Sequence, residues 1–211
     1  MLFTKPTMVD PRVALRGRET PVLDQPFFPR VFGHRIDRVP EGAEVAVLGL
    51  GCFWGAEKLF WNTPGVLNTA AGYAGGYTPN PTYEEVCSGR TGHAEVVKVV
   101  YDPKQLSYEQ VLRLFFENHD PTQGFRQGND RGTQYRSAIY TLNDDQTARA
   151  KAVRDSFAPE FAKSGYGDVT TEIAPLTEFY AAEAGHQQYL DANPFGYCPV
   201  HSTGVTCNPP S

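Results

Sequence analysis

Apolar and polar positions follow two different periods along the chain, and they predict a folded core that begins near residue 44. The run EVAVLGL at Glu44–Leu50 has the unbroken apolar character of a buried strand. A turn at Gly51 and Cys52 follows, and the aromatic segment after it predicts a short helix at 54–62. A strand, a turn and a helix in succession are a common way of building a functional site.

The rest of the core continues this alternation. Further strands are predicted at 66–73, 95–101, 137–142 and 170–174, and further helices at 107–118, 144–163 and 179–190. Ser107 and Gln110 are spaced as a capping box at the start of the first of these helices. The order strand, helix, strand, strand, helix, strand predicts an α+β fold of ferredoxin-like type, a split βαβ two-layer sandwich with its helices on one face of a mixed sheet.

Both ends of the chain lack this periodicity. Residues 1–42 hold six of the seventeen prolines and predict an irregular N-terminal arm. Residues 193–211, NPFGYCPVHSTGVTCNPPS, contain two glycines and four prolines, and they predict an irregular C-terminal tail. We therefore expect one domain, with its α+β core at 43–192 between the arm and the tail.

Composition excludes several classes of protein. The 211 residues are 40% hydrophobic, enough for a full core, and their 19 basic and 24 acidic side chains leave a net charge of -5. With no run of like charges, we expect no nucleic acid partner. No segment approaches the roughly 20 apolar residues of a membrane span or the apolar stretch of a signal peptide. We therefore expect a cytoplasmic protein that does not bind membranes.

Four cysteines, Cys52, Cys87, Cys198 and Cys207, are too few for a disulfide framework, and their spacing does not suggest a zinc site. Cys52 lies where a predicted strand leads into a helix. The helix N-terminus is expected to lower the pKa of its thiol and make it nucleophilic. Position alone does not establish this, because free cysteines are often inert core residues.

Two loops rich in glycine and tyrosine, GYAGGYTPNPTYEEVCSGRTGHAE and NHDPTQGFRQGNDRGTQYRSAIY, have the composition of ligand-binding segments. Together with GCFWG at 51–55 and GYC at 196–198, they resemble the A-type peptide methionine sulfoxide reductases over residues 44–207. The resemblance implies thiol-dependent reduction of methionine S-sulfoxide, free and protein-bound, in the repair of oxidative damage. It also implies thioredoxin as the reductant, no cofactor and a monomer.

The same resemblance implies a role for each residue that handles the sulfoxide group. Cys52 attacks the sulfur and becomes a sulfenic acid. Glu95 supplies a proton to the oxygen, and the hydroxyls of Tyr83 and Tyr135 are further donors to it. Because glutamate is ordinarily ionised at neutral pH, this role requires burial that raises its pKa by about 3 units. Asp130 is expected on the polar side of the site, although aspartate in a glycine-rich turn is more often a turn former.

Two aromatic residues and two tail cysteines complete the implied site. Phe53 and Trp54 cradle the methyl group on the substrate sulfur, a contact worth about 1 to 3 kcal/mol; on residue type alone they would equally suit a core. Cys198 is the resolving thiol, and Cys207 passes the disulfide to the surface. Relatives have glycines after the resolving cysteine, whereas this chain has proline, valine and histidine at 199–201. The proline stiffens the tail and opposes easy exchange.

Two other functions fit the residues. A cysteine hydrolase would use Cys52 with His93 or His186 as its base, and a redox sensor or binding module would form the disulfide without turnover. Cys87 matches no catalytic position and is expected to be structural. The same holds for His93, His119 and His186, which have no metal-ligand spacing.

Overall fold

A mixed sheet of six strands organises the residues that the computed structural model describes, 6–198 and 202–207. Its order is β7-β6-β1-β3-β2-β8, and a separate two-stranded hairpin joins β4 to β5. Neighbouring strands are antiparallel, except that β6 and β7 are parallel. The strands are β1 (Glu44–Leu50), β2 (Val66–Ala74), β3 (Ala94–Tyr101), β4 (Arg126–Gln127), β5 (Asp130–Arg131), β6 (Ser137–Thr141), β7 (Glu172–Pro175) and β8 (Phe179–Ala181).

The helices differ widely in length, and none in the described part of the chain is long and apolar enough to cross a membrane. The α-helices are α1 (Phe53–Trp61), α2 (Tyr83–Cys87), α3 (Tyr108–Glu117), α4 (Asp144–Lys163) and α5 (Tyr189–Ala192). Short 3-10 helices occupy Pro11–Val13, Thr133–Tyr135 and Ala184–His186. The predicted capping box is present at α3, where Ser107 Oγ accepts the Gln110 N–H and the Gln110 side chain accepts the Ser107 N–H.

The main core lies between one face of the sheet and helices α1, α3 and α4. Alternate residues of β1 divide between the two faces, as a pleated strand requires: Leu48 joins this core, whereas Val47 packs in a smaller cluster with Tyr140. The α+β class and most predicted elements are confirmed, including the helix at 144–163.

The N-terminal arm extends over the sheet as irregular structure. Leu23 and Ile36 are buried and cluster with Ala70 of β2. The amide of Asn68, also on β2, donates to the carbonyl of Ile36 at 3.1 Å. The arm therefore covers apolar surface of the sheet in a cluster separate from the main core.

The predicted helix at 179–190 is wrong. Its first part is the edge strand β8, which pairs with β2 through Gly72 and Ala181. Its second part is a 3-10 turn followed by α5, which begins only after Gln188, a residue with a positive φ of 50°. The sequence suits a helix locally, but pairing with the sheet edge overrides that preference. The predicted strand at 170–174 is displaced to β7, where it pairs with β6.

The described end of the tail packs back on the helices. Ser202 Oγ donates to the carbonyl of Glu117 at 2.8 Å, and Val205 is buried in the main core. Cys207 contacts the same core, and its Sγ lies 3.5 Å from the carbonyl oxygen of Ser156 on α4. Residues 199–201, including the proline expected to stiffen the tail, lie outside the described residues.

Candidate active site

Cys52 occupies the turn between β1 and α1, as the sequence indicates. Gly51 has a φ of +91°, and a Cβ there would come within 2.7 Å of the Gln127 side chain, so the turn requires glycine. Cys52 is the N-cap residue of α1, and although its side chain makes no capping hydrogen bond, the backbone N–H groups of Trp54 and Gly55 act to lower its pKa. The helix N-terminus thus faces the thiol.

The pKa of Cys52 nevertheless moves upward, and the expectation of a lowered value is wrong. Burial raises this pKa most, and the charge of Glu95 raises it further. The backbone N–H of Trp54 acts to lower it, and the charge of Asp130 raises it again. The helix acts in the expected direction, but desolvation and two nearby carboxylates outweigh it.

Glu95 is the buried acid that the resemblance implies. It is 1% exposed on β3, and its Oε2 accepts the backbone N–H of Phe53 at 3.0 Å. Its Oε1 has no hydrogen-bond partner among the described residues. Burial raises the pKa of Glu95 to about 8, the Phe53 hydrogen bond opposes this, and Asp130 adds to it. The carboxyl group therefore keeps its proton at neutral pH.

Tyr83 and Tyr135 lie close to this carboxyl group. Burial is the main cause that raises the pKa of each phenol, and the charge of Glu95 is the second. The charge of Cys52 also acts on Tyr135. Both hydroxyls therefore remain protonated and can donate hydrogen bonds.

Cys87, expected to be structural, lies beside both tyrosines. Burial raises the pKa of its thiol, and hydrogen bonds from the side chains of Tyr83 and Tyr135 oppose this. Its sequence context in α2 gave no sign of this position.

Five rings form one side of the site, and we refer to them as the aromatic wall. Its members are Phe53, Trp54, Tyr83, His186 and Tyr189. The Trp54 and Tyr189 rings stack with centroids 3.9 Å apart, and the His186 ring lies 4.3 Å from that of Tyr83. Trp54 Nε1 donates to His186 Nδ1 at 3.2 Å. Sequence reasoning missed Tyr189, and it treated His186 as structural because that residue has no metal-ligand spacing. Both residues lie in the segment wrongly predicted as a helix.

The histidines act as hydrogen-bonding groups, as expected. His93 Nδ1 accepts the Gly76 N–H at 3.0 Å, and its Nε2 lies 2.7 Å from the carbonyl oxygen of Thr78. Burial lowers the pKa of both His93 and His186. Within the described ranges, no group of three or more histidine, cysteine or acidic side chains could hold a metal ion.

The tail reaches the polar side of the site through a residue that sequence reasoning did not single out. The Tyr197 hydroxyl donates to Asp130 Oδ1 at 3.3 Å, and its pKa is raised by burial and by the charges of Asp130 and Cys52. Cys198 follows directly and is exposed, whereas Cys207 lies against α4. All four cysteines are free thiols. The motif GYC was the available signal for Tyr197.

Two side chains, Glu183 and the buried Arg136, hold the loops of the site in place. Glu183 accepts the backbone N–H of Tyr83 at 2.7 Å. Arg136, 4% exposed, donates to the carbonyls of Gly92 and Thr133 at 3.0 and 2.9 Å. These carbonyls flank the segments that carry Glu95 and Tyr135, so Arg136 links the two polar loops.

Comparison with known proteins gives consistent matches. Residues 44–207 match the family model described as peptide methionine sulfoxide reductase. The peptide methionine sulfoxide reductase MsrA of Corynebacterium kroppenstedtii is 57% identical over 97% of both chains. Methionine sulfoxide reductase A of Corynebacterium diphtheriae has a TM-score of 0.88 at 52% identity, covering 98% of this chain and all of that one. Reduced Mxr1 from Saccharomyces cerevisiae has a TM-score of 0.71 at 36% identity, and the match covers 77% of this chain and 92% of the other. Mxr1 has also been solved in complex with Trx2.

Proposed function

The chain belongs to the peptide methionine sulfoxide reductase family, an oxidoreductase family, and we propose that it reduces the S epimer of methionine sulfoxide through Cys52. Both free and protein-bound methionine sulfoxide are substrates in this proposal. The observation that carries it is the position of Glu95. A carboxyl group with a pKa of about 8 lies next to the thiol, so Glu95 retains the proton that the sulfoxide oxygen needs when the Cys52 thiolate attacks.

In the first step, the Cys52 thiolate attacks the sulfoxide sulfur as Glu95 gives its proton to the oxygen. The hydroxyl group then passes from the substrate sulfur to the Cys52 sulfur as the bond between the two sulfur atoms breaks, so that methionine leaves and Cys52 becomes a sulfenic acid. The free Oε1 of Glu95 and the hydroxyls of Tyr83 and Tyr135 supply the donors that developing negative charge on the oxygen requires. Asp130 lies on the polar side of this group. The methyl group of the substrate packs against Phe53 and Trp54.

In the second step, the Cys198 thiol condenses with the sulfenic acid to give a disulfide and water. The contact of Tyr197 with Asp130 supports this step, because it holds the neighbouring residue at the site. Cys207 then receives the disulfide through exchange with Cys198.

A thioredoxin reduces the resulting disulfide in this proposal. The yeast relative Mxr1 has been solved with Trx2, which supports a dithiol protein as the partner. The exposure of Cys198 suits attack by an external thiolate. Three further expectations stay predictions. They are a cytoplasmic location, a monomeric state and the division into an arm at 1–42, a catalytic domain at 43–192 and a tail at 193–211.

The hydrolase alternative has less support. Both ring nitrogens of His93 are engaged by backbone groups. His186 Nδ1 is engaged by Trp54. A general base for Cys52 needs a free nitrogen within hydrogen-bond reach of the thiol, and these contacts leave neither histidine arranged as such a base.

We also propose that the central strands form a split βαβ core of ferredoxin-like type. The order β6-β1-β3-β2 with antiparallel neighbours supports this description. The strands β7 and β8 then extend this core at its two edges. The parallel pairing of β7 makes the sheet mixed.

A single-turnover assay on the reduced protein tests the proposed function. The S and R epimers of methionine sulfoxide are supplied separately, and released methionine and lost thiols are counted. We expect about one methionine per chain from the S epimer, with Cys52 and Cys198 joined in a disulfide. No methionine release would favour the sensor, and equal release from both epimers would contradict the stereochemical proposal.

A further inference from the structure

Glu57 is a wholly buried carboxyl group that the proposed reaction does not use. It lies on α1 with 0% of its surface exposed. Its Oε1 accepts the hydroxyl of Thr69 at 2.9 Å, and its Oε2 accepts the backbone N–H of Gln188 at 2.7 Å. Burial raises its pKa to about 7, against the effect of these two hydrogen bonds. Neither of these partners is a cation, and burying an acid without one costs free energy. A carboxyl group at this position therefore points to a specific requirement for it in the fold.

The partner of Glu57 lies in a strained part of the chain. Gln188 has a φ of +50°, in the left-handed region that non-glycine residues rarely adopt. The residue before it is also fixed, because the Gln187 amide bonds both backbone groups of Ala71 at 2.8 and 2.9 Å. The Glu57 carboxylate thus helps to hold an unfavourable backbone conformation at one defined point.

That point determines where Tyr189 lies. Tyr189 is the first residue of α5, and its ring stacks on Trp54 at a centroid distance of 3.9 Å and an interplanar angle of 17°. Trp54 and Glu57 are three residues apart on α1, so both contacts join the same two segments. The Glu57 carboxylate fixes the backbone at Gln188. As a consequence, the Tyr189 ring lies stacked on the Trp54 ring at the site.

We propose that Glu57 is a positioning residue that holds Tyr189 against Trp54 through the Gln188 N–H and so sets the aromatic wall that receives the substrate methyl group. This inference rests on the proposed function. Its physical basis is the cost of leaving a buried backbone N–H without an acceptor. If the Gln188 N–H loses the carboxylate, the observed backbone conformation at Gln188 is destabilised. Without the carboxylate, Gln188 would relax and Tyr189 would leave the Trp54 ring.

Three substitutions separate this role from a general contribution to stability. Glu57→Met has a similar volume but no strong acceptor, and it leaves the Gln188 N–H unpaired. Glu57→Gln keeps one oxygen for that N–H, and the Thr69 hydroxyl can accept from the new amide. Thr69→Val is the matched control, because it removes the other hydrogen bond to Glu57 and leaves the Gln188 contact in place.

The measurements combine substrate saturation with the fluorescence of Trp54. The chain has two tryptophans, so a Trp61→Phe background leaves Trp54 as the only one. In single turnovers with the S epimer of free methionine sulfoxide, we expect Glu57→Met to raise the half-saturating concentration about tenfold. The saturated rate should change by less than about threefold. Quenching of Trp54 by acrylamide should increase, whereas Glu57→Gln and Thr69→Val should match the background within about twofold in both readouts.

The inference is overturned if Glu57→Met and Thr69→Val give the same half-saturating concentration and the same Trp54 quenching. Should Glu57→Met fail to fold, Glu57→Asp provides the second test, because its shorter side chain draws the carboxylate away from Gln188. An unchanged half-saturating concentration and unchanged quenching in Glu57→Asp would also overturn it. Absence of methionine release from the background protein would instead refute the proposed function, and Trp54 quenching would still test the position of Tyr189.

Discussion

The backbone N–H of Phe53 donates a hydrogen bond of 3.0 Å to Oε2 of Glu95. Phe53 is the first residue of α1, and Cys52 is its N-cap residue. The acid on β3 and the thiol therefore share one helix N-terminus. Because the charge of Glu95 raises the pKa of Cys52, the site favours one ionised group at a time.

Replacing Glu95 by glutamine tests the proton transfer. The amide can still donate a hydrogen bond to the sulfoxide oxygen, but it cannot give up a proton to it. We expect Glu95→Gln to slow methionine formation in single turnovers by about 10²- to 10³-fold. Glu44→Gln is the matched control, because Glu44 accepts a hydrogen bond from the Tyr101 hydroxyl at the other end of β1. Retention of half the original rate by Glu95→Gln would contradict the assigned role.

The pH dependence of the reaction follows from the pair of Cys52 and Glu95. The reactive form carries a thiolate and a protonated Glu95, so the pair has lost one proton in total. Since the pKa of Glu95 is about 8 and that of Cys52 is raised, the pair loses its first proton near pH 8. The population of the reactive form thus rises with pH up to about 8 and then levels.

The second-order rate constant for methionine release should accordingly increase about tenfold per pH unit below pH 8 and become constant above it. It is measured in single turnovers at low substrate concentration. The same series with Glu95→Gln should lack the break near pH 8, because that protein has only the thiol to titrate. A rate constant that decreases between pH 6 and 8 would refute this scheme.

Cysteine variants separate the two chemical steps. We expect Cys52→Ser to abolish methionine release, because serine does not form the sulfenic acid. Cys198→Ser should release about one methionine per chain and then stop, since the sulfenic acid has no resolving thiol. Methionine is counted with and without thioredoxin. Normal cycling of Cys198→Ser with thioredoxin would show that the tail mechanism is wrong.

Removal of the Tyr197 hydroxyl should affect only the second step. Its hydrogen bond to Asp130 contributes about 1 kcal/mol, so we expect Tyr197→Phe to slow disulfide formation about fivefold. The rate of methionine release should stay within about twofold. Both rates come from the same quenched samples, by counting methionine and free thiols.

Tyr166→Phe is the control for this prediction, because the Tyr166 hydroxyl donates to the carbonyl of Thr203 elsewhere on the tail at 3.3 Å. It should leave both rates unchanged. Equal slowing in the two variants would mean that the tail responds to any loss of tethering, and the Asp130 contact would then have no special role.

His119 should make the protein sensitive to acid. It is buried, its Nδ1 lies 2.6 Å from the carbonyl oxygen of Phe115, and its Nε2 lies 2.7 Å from the hydroxyl of Ser137. Burial lowers its pKa to about 4. Because the folded pKa is below the unfolded one, protonation of His119 favours the unfolded state. The contribution of neutral His119 to the free energy of unfolding is therefore complete above pH 6.5 and is lost as the pH decreases to about 4.

Urea unfolding of the reduced protein between pH 4 and 8 measures this effect. Relative to His119→Gln, the free energy of unfolding of the unmodified protein should decrease by about 3 kcal/mol across that range. The buried glutamates titrate in both proteins, so their contribution cancels in the difference. A constant difference between the two proteins would mean that His119 does not titrate in this range.

Much of the fold follows from short stretches of sequence. The apolar run at Glu44–Leu50, the turn at Cys52 and the capping box at Ser107 act within a few residues of the chain, and the structure has each as predicted. The polar helix Asp144–Lys163 agrees for the same reason. Local backbone preference and hydrophobic period are sufficient where neighbouring residues determine the conformation.

Tertiary structure decided the remainder, because burial and strand pairing join residues that are far apart in sequence. The segment at 179–190 forms a strand because the edge of β2 is available to pair with it. The pKa of Cys52 moves upward because the surrounding core removes water from the thiol and the charge of Glu95 disfavours the thiolate. Glu57 meets Gln188 only across the packed interface of α1 and α5. The sequence alone predicts which groups carry the chemistry, and the folded chain determines their positions and shifts their pKa values, since desolvation and electrostatic interaction depend on distances in space.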